Sequence, residues 1–157
     1  MADVVPADVR SRMMAGIRST NTKPELLLRR GLHARGLRFR LHDRSLPGTP
    51  DLVFSRWRAV VQAHGCFWHG HDCHLFKWPK TREEFWRAKI ARNRTVDARA
   101  EAALHDAGWR VAVVWECALK GRTRRDHGDV LNTLATWIRS KDTVIEIRGL
   151  DAMLEER

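Results

Sequence analysis

Cys66, His71 and Cys73 crowd one short stretch, G-C-F-W-H-G-H-D-C-H over residues 65–74, while the remaining cysteine, Cys117, follows an apolar run at 109–116. A stretch this polar and irregular cannot hold a shape by burying its own side chains. A cation bound by thiolates and an imidazole can hold it, and ties it at the same time to the end of the segment carrying Cys117. Short spacers within one loop, completed by one distant cysteine, suit tetrahedral zinc, and four protein ligands with no open position make such a site structural. His69, His71 and His74 all lie near enough to supply the imidazole. An odd number of cysteines argues against a disulfide framework. The start of the chain lacks an apolar signal core, and no run approaches the ~20 apolar residues that cross a bilayer. The expectation is a cytoplasmic chain without a membrane anchor, where clustered thiols serve metals or catalysis.

The flanking sequence predicts what the loop is anchored to. Thr22-Lys-Pro-Glu25 reads as a capping box opening a helix that Gly36 stops. Residues 37–42 alternate like a strand, 51–54 and 57–64 read as a hairpin, and 109–116 as a buried strand. A long helix is expected from Thr81 to Gly108, a further helix at 129–140 and a last strand at 143–147. Residues 8–18 suit a short basic helix bearing Met13, Met14 and Ile17. Helix, three strands, helix, strand, helix describes an α/β domain with a mixed central sheet flanked by helices, a meander followed by a crossover. A chain of 157 residues suits one such domain, with 1–20 as an N-terminal arm and about 148–157 as a loose tail. Trp57, Trp109, Trp115 and Trp137 are expected in the core.

Net charge is +10, much of it arginine. Arginine's planar fork grips phosphates and guanine edges, so the excess points to a nucleic-acid partner rather than only a solvated surface. Pro50-Asp51 opens one strand and Val60-Val61-Gln62-Ala63-His64 closes the next, with Glu25 upstream. An aspartate there, with main-chain carbonyls, offers hard oxygen ligands suited to Mg²⁺. Alternation puts Gln62 and His64 on one face. Glu25 reads equally as the capping-box partner and His64 as a core histidine. His69, in the polar loop, is the better candidate base. Phe67, Trp68 and Trp86 either wedge into nucleic acid or cover the metal as an apolar cluster.

The blocks LPGTPDLVF, VVQAHGCFWHGHDCHLFKWPKTREEFWRAKIARN and GWRVAVVWECALKGR resemble the very short patch repair (Vsr) endonucleases over about residues 10–140. The resemblance implies a restriction-endonuclease-like core of the PD-(D/E)xK class. It implies zinc on Cys66, His71, Cys73 and Cys117, and catalytic Mg²⁺ on Asp51 and the main-chain carbonyl of Ala63. His69 is implied as the base, supported by His64 and Glu25. Phe67, Trp68 and Trp86 are implied to enter the DNA, with Met14 and Ile17 on the minor-groove side. The implied activity is nicking of one strand 5′ to the T of a T·G mismatch, starting repair after deamination of 5-methylcytosine, by a monomer that cooperates with mismatch-repair proteins. The family's usual threonine before the histidine is Ala63 here, and its apolar residue before that is Gln62. Two rivals are a nuclease of the same fold that cuts matched or structured DNA, and a non-catalytic zinc-stabilised DNA-binding protein.

Overall fold

The computed structural model describes residues 21–150. Met13, Met14, Ile17 and the expected basic helix lie outside that range, as does most of the expected tail. The described elements are α1 (Lys23–Ala34), β1 (Arg40–Leu41), β2 (Leu52–Phe54), β3 (Ala59–His64), α2 (Glu83–Asp106), β4 (Arg110–Trp115), α3 (His127–Arg139) and β5 (Val144–Ile147). The strands form one sheet in the order β1-β2-β3-β4-β5. β1 to β3 are antiparallel neighbours, and β3, β4 and β5 run parallel. The mixed sheet, its meander and its crossover agree with the sequence reading.

Alternation sorts the strand residues between two cores. Leu52, Phe54, Ala59, Val61, Ala112, Val114 and Ile147 face Leu28 and Leu32 of α1 and the apolar side of α3, including Leu134 and Ile138. Each fully buried side chain of this kind contributes about 1.5–3 kcal/mol of burial free energy, so this layer dominates the stability. Val53, Val60, Val111 and Val113 face the opposite way, toward Leu104 and Trp109. Of α2's residues only Ile90 and Leu104 are buried. Its last turns meet the sheet through Leu104, and one face of its first half meets the loop after β3. Arg110 stitches the start of β4 to the end of α3, donating to the carbonyls of Trp137 at 3.0 Å and Ile138 at 2.6 Å. That satisfies acceptors a helix C-terminus otherwise leaves open.

Two elements and two tryptophans depart from expectation. β1 is two residues rather than six, because Leu37 turns inward into the core and His42 takes a left-handed backbone (φ 46°) that stops the ladder. α2 begins at Glu83 with Arg82 at its cap, also left-handed (φ 54°) and with no side-chain cap bond, so Thr81 does not cap it. Of the four core tryptophans expected, Trp109 and Trp137 are buried, whereas Trp57 and Trp115 are half-buried. No helix among the described residues is long and apolar enough to cross a membrane.

Candidate active site and metal centre

Because β3 and β4 are parallel and in register from Ala59↔Arg110 to His64↔Trp115, they end together. Cys66 lies two residues past one strand end and Cys117 two past the other. The loop between β3 and α2 folds back so that His71 and Cys73 join them, the four ligand atoms lying within 4.8 Å of one another. His71 turns Nδ1 to the sulfurs, 3.6 Å from Sγ of both Cys66 and Cys117. Its ring stacks on Trp115 at 4.0 Å between centroids. All three cysteines are free, so no disulfide competes for the sulfurs. Burial pushes the Cys66 and Cys117 thiols up, which would leave them neutral. A divalent cation reverses that preference by its own charge. Backbone N–H groups already favour thiolate, that of Cys117 donating to Cys66 Sγ at 3.3 Å and that of Gly149 to Cys117 Sγ at 3.2 Å. The donor set therefore fits a metal, and the four residues brought together are those that the resemblance implies, with His71 rather than His69 or His74 beside the sulfurs.

A second cluster joins Glu25, His42 and Asp51. Thr22 caps α1 by accepting from the Glu25 N–H at 3.3 Å, as the capping box requires. The Glu25 carboxylate does not complete the box on Thr22. It is buried and accepts from the Asn21 N–H at 3.1 Å and Arg29 at 3.1 Å, and meets His42 Nε2 at 2.9 Å. The His42 N–H in turn donates to the Asp51 carbonyl at 3.1 Å. Asp51 Oδ2 accepts from the Ala63 N–H at 2.8 Å, which fixes the carboxylate against the end of β3. Burial, aided by the neighbouring Glu25 charge, pushes Asp51 up to about 7. Two carboxylates crowded in a partly dry pocket fit a divalent cation, which relieves both costs.

A third cluster is one residue further along β3. His64 Nε2 lies 2.8 Å from Gln62 Oε1, on the shared face that alternation predicts. The His64 ring stacks on His69 with centroids 3.9 Å apart and planes within 5°. His69 Nδ1 is hydrogen-bonded to Asp97 on α2. Burial and the adjacent His69 push His64 down to about 4, so it is neutral at neutral pH. His42 and Asp97 are absent from the sequence reading. For Asp97 a signal exists: Trp86, Ile90, Asn93 and Asp97 recur at helical spacing on the face of α2 that meets the loop. Asn93 Nδ2 donates to the Trp68 carbonyl at 2.8 Å on that same face.

Phe67, Trp68 and Trp86 meet in one aromatic cluster, with Phe67 5.4 Å from Trp86 and Trp68 5.9 Å from it. Phe76 and Phe85 extend it. The rings are half-buried, and Trp115 is the ring that stacks on His71.

Residues 2–75 match a family described as DNA mismatch endonuclease Vsr. A type II nicking enzyme, V.XorIIP of Xanthomonas oryzae pv. oryzae, is 52% identical over 119 residues, covering 76% of this chain and 88% of that protein. The DNA mismatch endonuclease Vsr of Escherichia coli is 46% identical over 138 residues, covering 88% of each chain. The type II nicking enzyme V.NmeAIP of Neisseria meningitidis is 43% identical over 122 residues, 78% of this chain and 87% of that one. With the four-ligand centre and the paired clusters at one strand end, these similarities establish that the chain belongs to the Vsr DNA mismatch endonuclease family.

Proposed function

We propose that the protein is a Mg²⁺-dependent DNA endonuclease, cytoplasmic and monomeric, built on a PD-(D/E)xK-type core with a structural zinc. It nicks one strand 5′ to the T of a T·G mismatch and so starts very short patch repair. The observation that carries this reading is the juxtaposition at the end of β3. Asp51 is locked on the Ala63 N–H, and the next residue's ring stacks on a histidine bonded to Asp97. Homologues named as mismatch and nicking endonucleases support the same reaction class.

Asp51 and the Ala63 carbonyl would hold Mg²⁺, and Glu25 supports them by pinning His42 under the Asp51 main chain. Bound Mg²⁺ supplies Lewis-acid stabilisation of charge developing on the scissile phosphate. His69 gives its Nδ1 proton to the bond with Asp97, which leaves the Nε2 lone pair to take a proton from the attacking water. His64, neutral and stacked against it, orients the ring without opposing the positive charge His69 then acquires. Zinc on Cys66, His71, Cys73 and Cys117 keeps the loop carrying His69 and Trp68 in place. Phe67, Trp68 and Trp86 form the wedge, and a T·G wobble pair costs less to unstack than a matched pair.

Nicking assays on labelled duplexes, scanning all mismatches with and without Mg²⁺, test this directly. T·G duplex should be cut in one strand only with Mg²⁺, the matched T·A duplex should survive, and Asp51→Ala should bind T·G duplex without cutting it. Equal cutting of the matched duplex would favour the reading as a sequence- or structure-directed nuclease. Cutting by Asp51→Ala in Mg²⁺ would remove the metal site proposed here.

A further inference from the structure

β3, β4 and β5 are parallel, so their ends share one edge of the sheet, where ligands of α/β folds commonly bind. The clusters above use the ends of β3 and β4. The same edge holds a cavity of about 510 Å³ that adjoins the metal centre, with Cys73 and Cys117 in its lining, between the segment after β4 and the one after β5. Arg122, Arg125 and Arg148 line it with His74 and Thr123. No role in metal binding, proton transfer or the aromatic wedge accounts for these three arginines.

The cavity is organised from within. Arg148 grips Asp72 twice, donating to its carboxylate at 2.9 Å and its carbonyl at 2.9 Å. That neutralises the carboxylate lining the cavity. Arg125 donates through Nε to the Arg148 carbonyl at 2.5 Å, which orients its guanidinium and engages none of its Nη groups among the described residues. Arg122 is exposed and makes no hydrogen bond or ion pair among the described residues. Two guanidinium heads thus meet a concave surface with no anion paired to them there. Thr123 Oγ donates to the Cys117 carbonyl at 3.2 Å, so the wall is joined directly to the metal centre.

We infer that this cavity is a second nucleic-acid subsite, which takes a backbone phosphate of the bound strand a few nucleotides from the cut. Guanidinium forks match phosphate oxygens in geometry as well as charge. β5 lies two strand spacings from β3, about 10 Å at ~4.8 Å per strand. Successive phosphates of one DNA strand rise ~3.4 Å each, so a strand cut beside β3 carries another phosphate within that reach. The position on the catalytic edge favours DNA over an acidic peptide, which would need no such alignment. The inference rests on the reading of DNA as substrate.

Fluorescence anisotropy with labelled T·G and T·A duplexes, repeated across salt concentrations, tests it. The variants are Arg122→Ala, Arg125→Ala and the pair together, with Arg125→Lys retaining the charge. Arg122 is exposed and makes no hydrogen bond or ion pair among the described residues, so its variant isolates the binding effect. The slope of log affinity against log salt should flatten by about one for each arginine removed. The loss should be the same for both duplexes, and saturated T·G substrate should still be nicked. An unchanged slope in Arg122→Ala and in the double variant overturns the inference. So does an acidic peptide that binds the parent, fails to bind the double variant and is not displaced by DNA. If the parent itself shows no salt-dependent DNA binding, the reading of DNA as substrate fails first, an outcome distinct from any difference among variants.

Discussion

Asp51 sits at about 7 in the folded chain against about 3.9 when unfolded, because burial and the Glu25 charge both oppose ionisation. A raised folded value means that the native state binds the proton more tightly than the unfolded one. Its stabilising contribution is complete below about pH 4 and is lost as pH rises through about 7. Without added magnesium, Asp51→Asn should therefore melt higher than the parent at pH 8, and the gap should shrink toward pH 5. Thermal melts of both proteins at the two pH values check this; a gap that is constant with pH would mean that Asp51 is solvated rather than crowded. The sequence made Asp51, His64, His69 and Glu25 legible because each lies next to a motif or a strand end. His42 was not, since Glu25 lies 17 residues away and only tertiary folding joins them; Asp97, 28 residues from His69, was marked only by the helical recurrence of Trp86, Ile90 and Asn93. Gln62 and Ala63 were legible as departures, but not the bond from Gln62 to His64 or the Ala63 N–H on Asp51.

At the scale of elements, the loop after β3 and the first half of α2 form one unit. Asn93 holds the Trp68 carbonyl, Asp97 holds His69, and the sulfurs hold the loop's other end. Cys117→Ser removes one of the four proposed ligands, so it should bind less than one metal per chain and lower the melting temperature. Elemental analysis of protein purified without chelator, alongside melting curves, decides this; a metal-free parent would end the idea. Trp68→Ala should leave metal content alone and cut affinity for T·G duplex by about tenfold or more, as stacking is worth roughly 1–3 kcal/mol per base. T·A affinity should fall much less. A T·G to T·A affinity ratio equal to the parent's would move the wedge elsewhere in the cluster. The first two helices were readable from start signals and stop glycines, and the inner strands from alternation and apolar runs. The extent of β1 and the first residue of α2 were not, because left-handed residues, His42 and Arg82, end or begin them where alternation and capping chemistry do not point.

Across the whole molecule, the proposed metal ligands carry a consequence for the order of assembly. Cys66 and Cys117 are 51 residues apart and meet only once β3 and β4 have paired in parallel. Pairing of that kind is non-local and slow, since a long connection must close before any contact rewards it. A newly made chain therefore offers only Cys66, His71 and Cys73 to a cation, an incomplete and exchangeable set. Tight uptake belongs to the finished sheet. In refolding from denaturant with metal present, capture into a form that resists a chelator should follow the same time course as the gain of tryptophan burial. Raising the metal concentration should leave that rate unchanged. Capture that runs ahead of tryptophan burial and quickens with metal would mean that the loop closes on its cation first and guides the crossover. The proposed metal would then be a template for the fold rather than its seal.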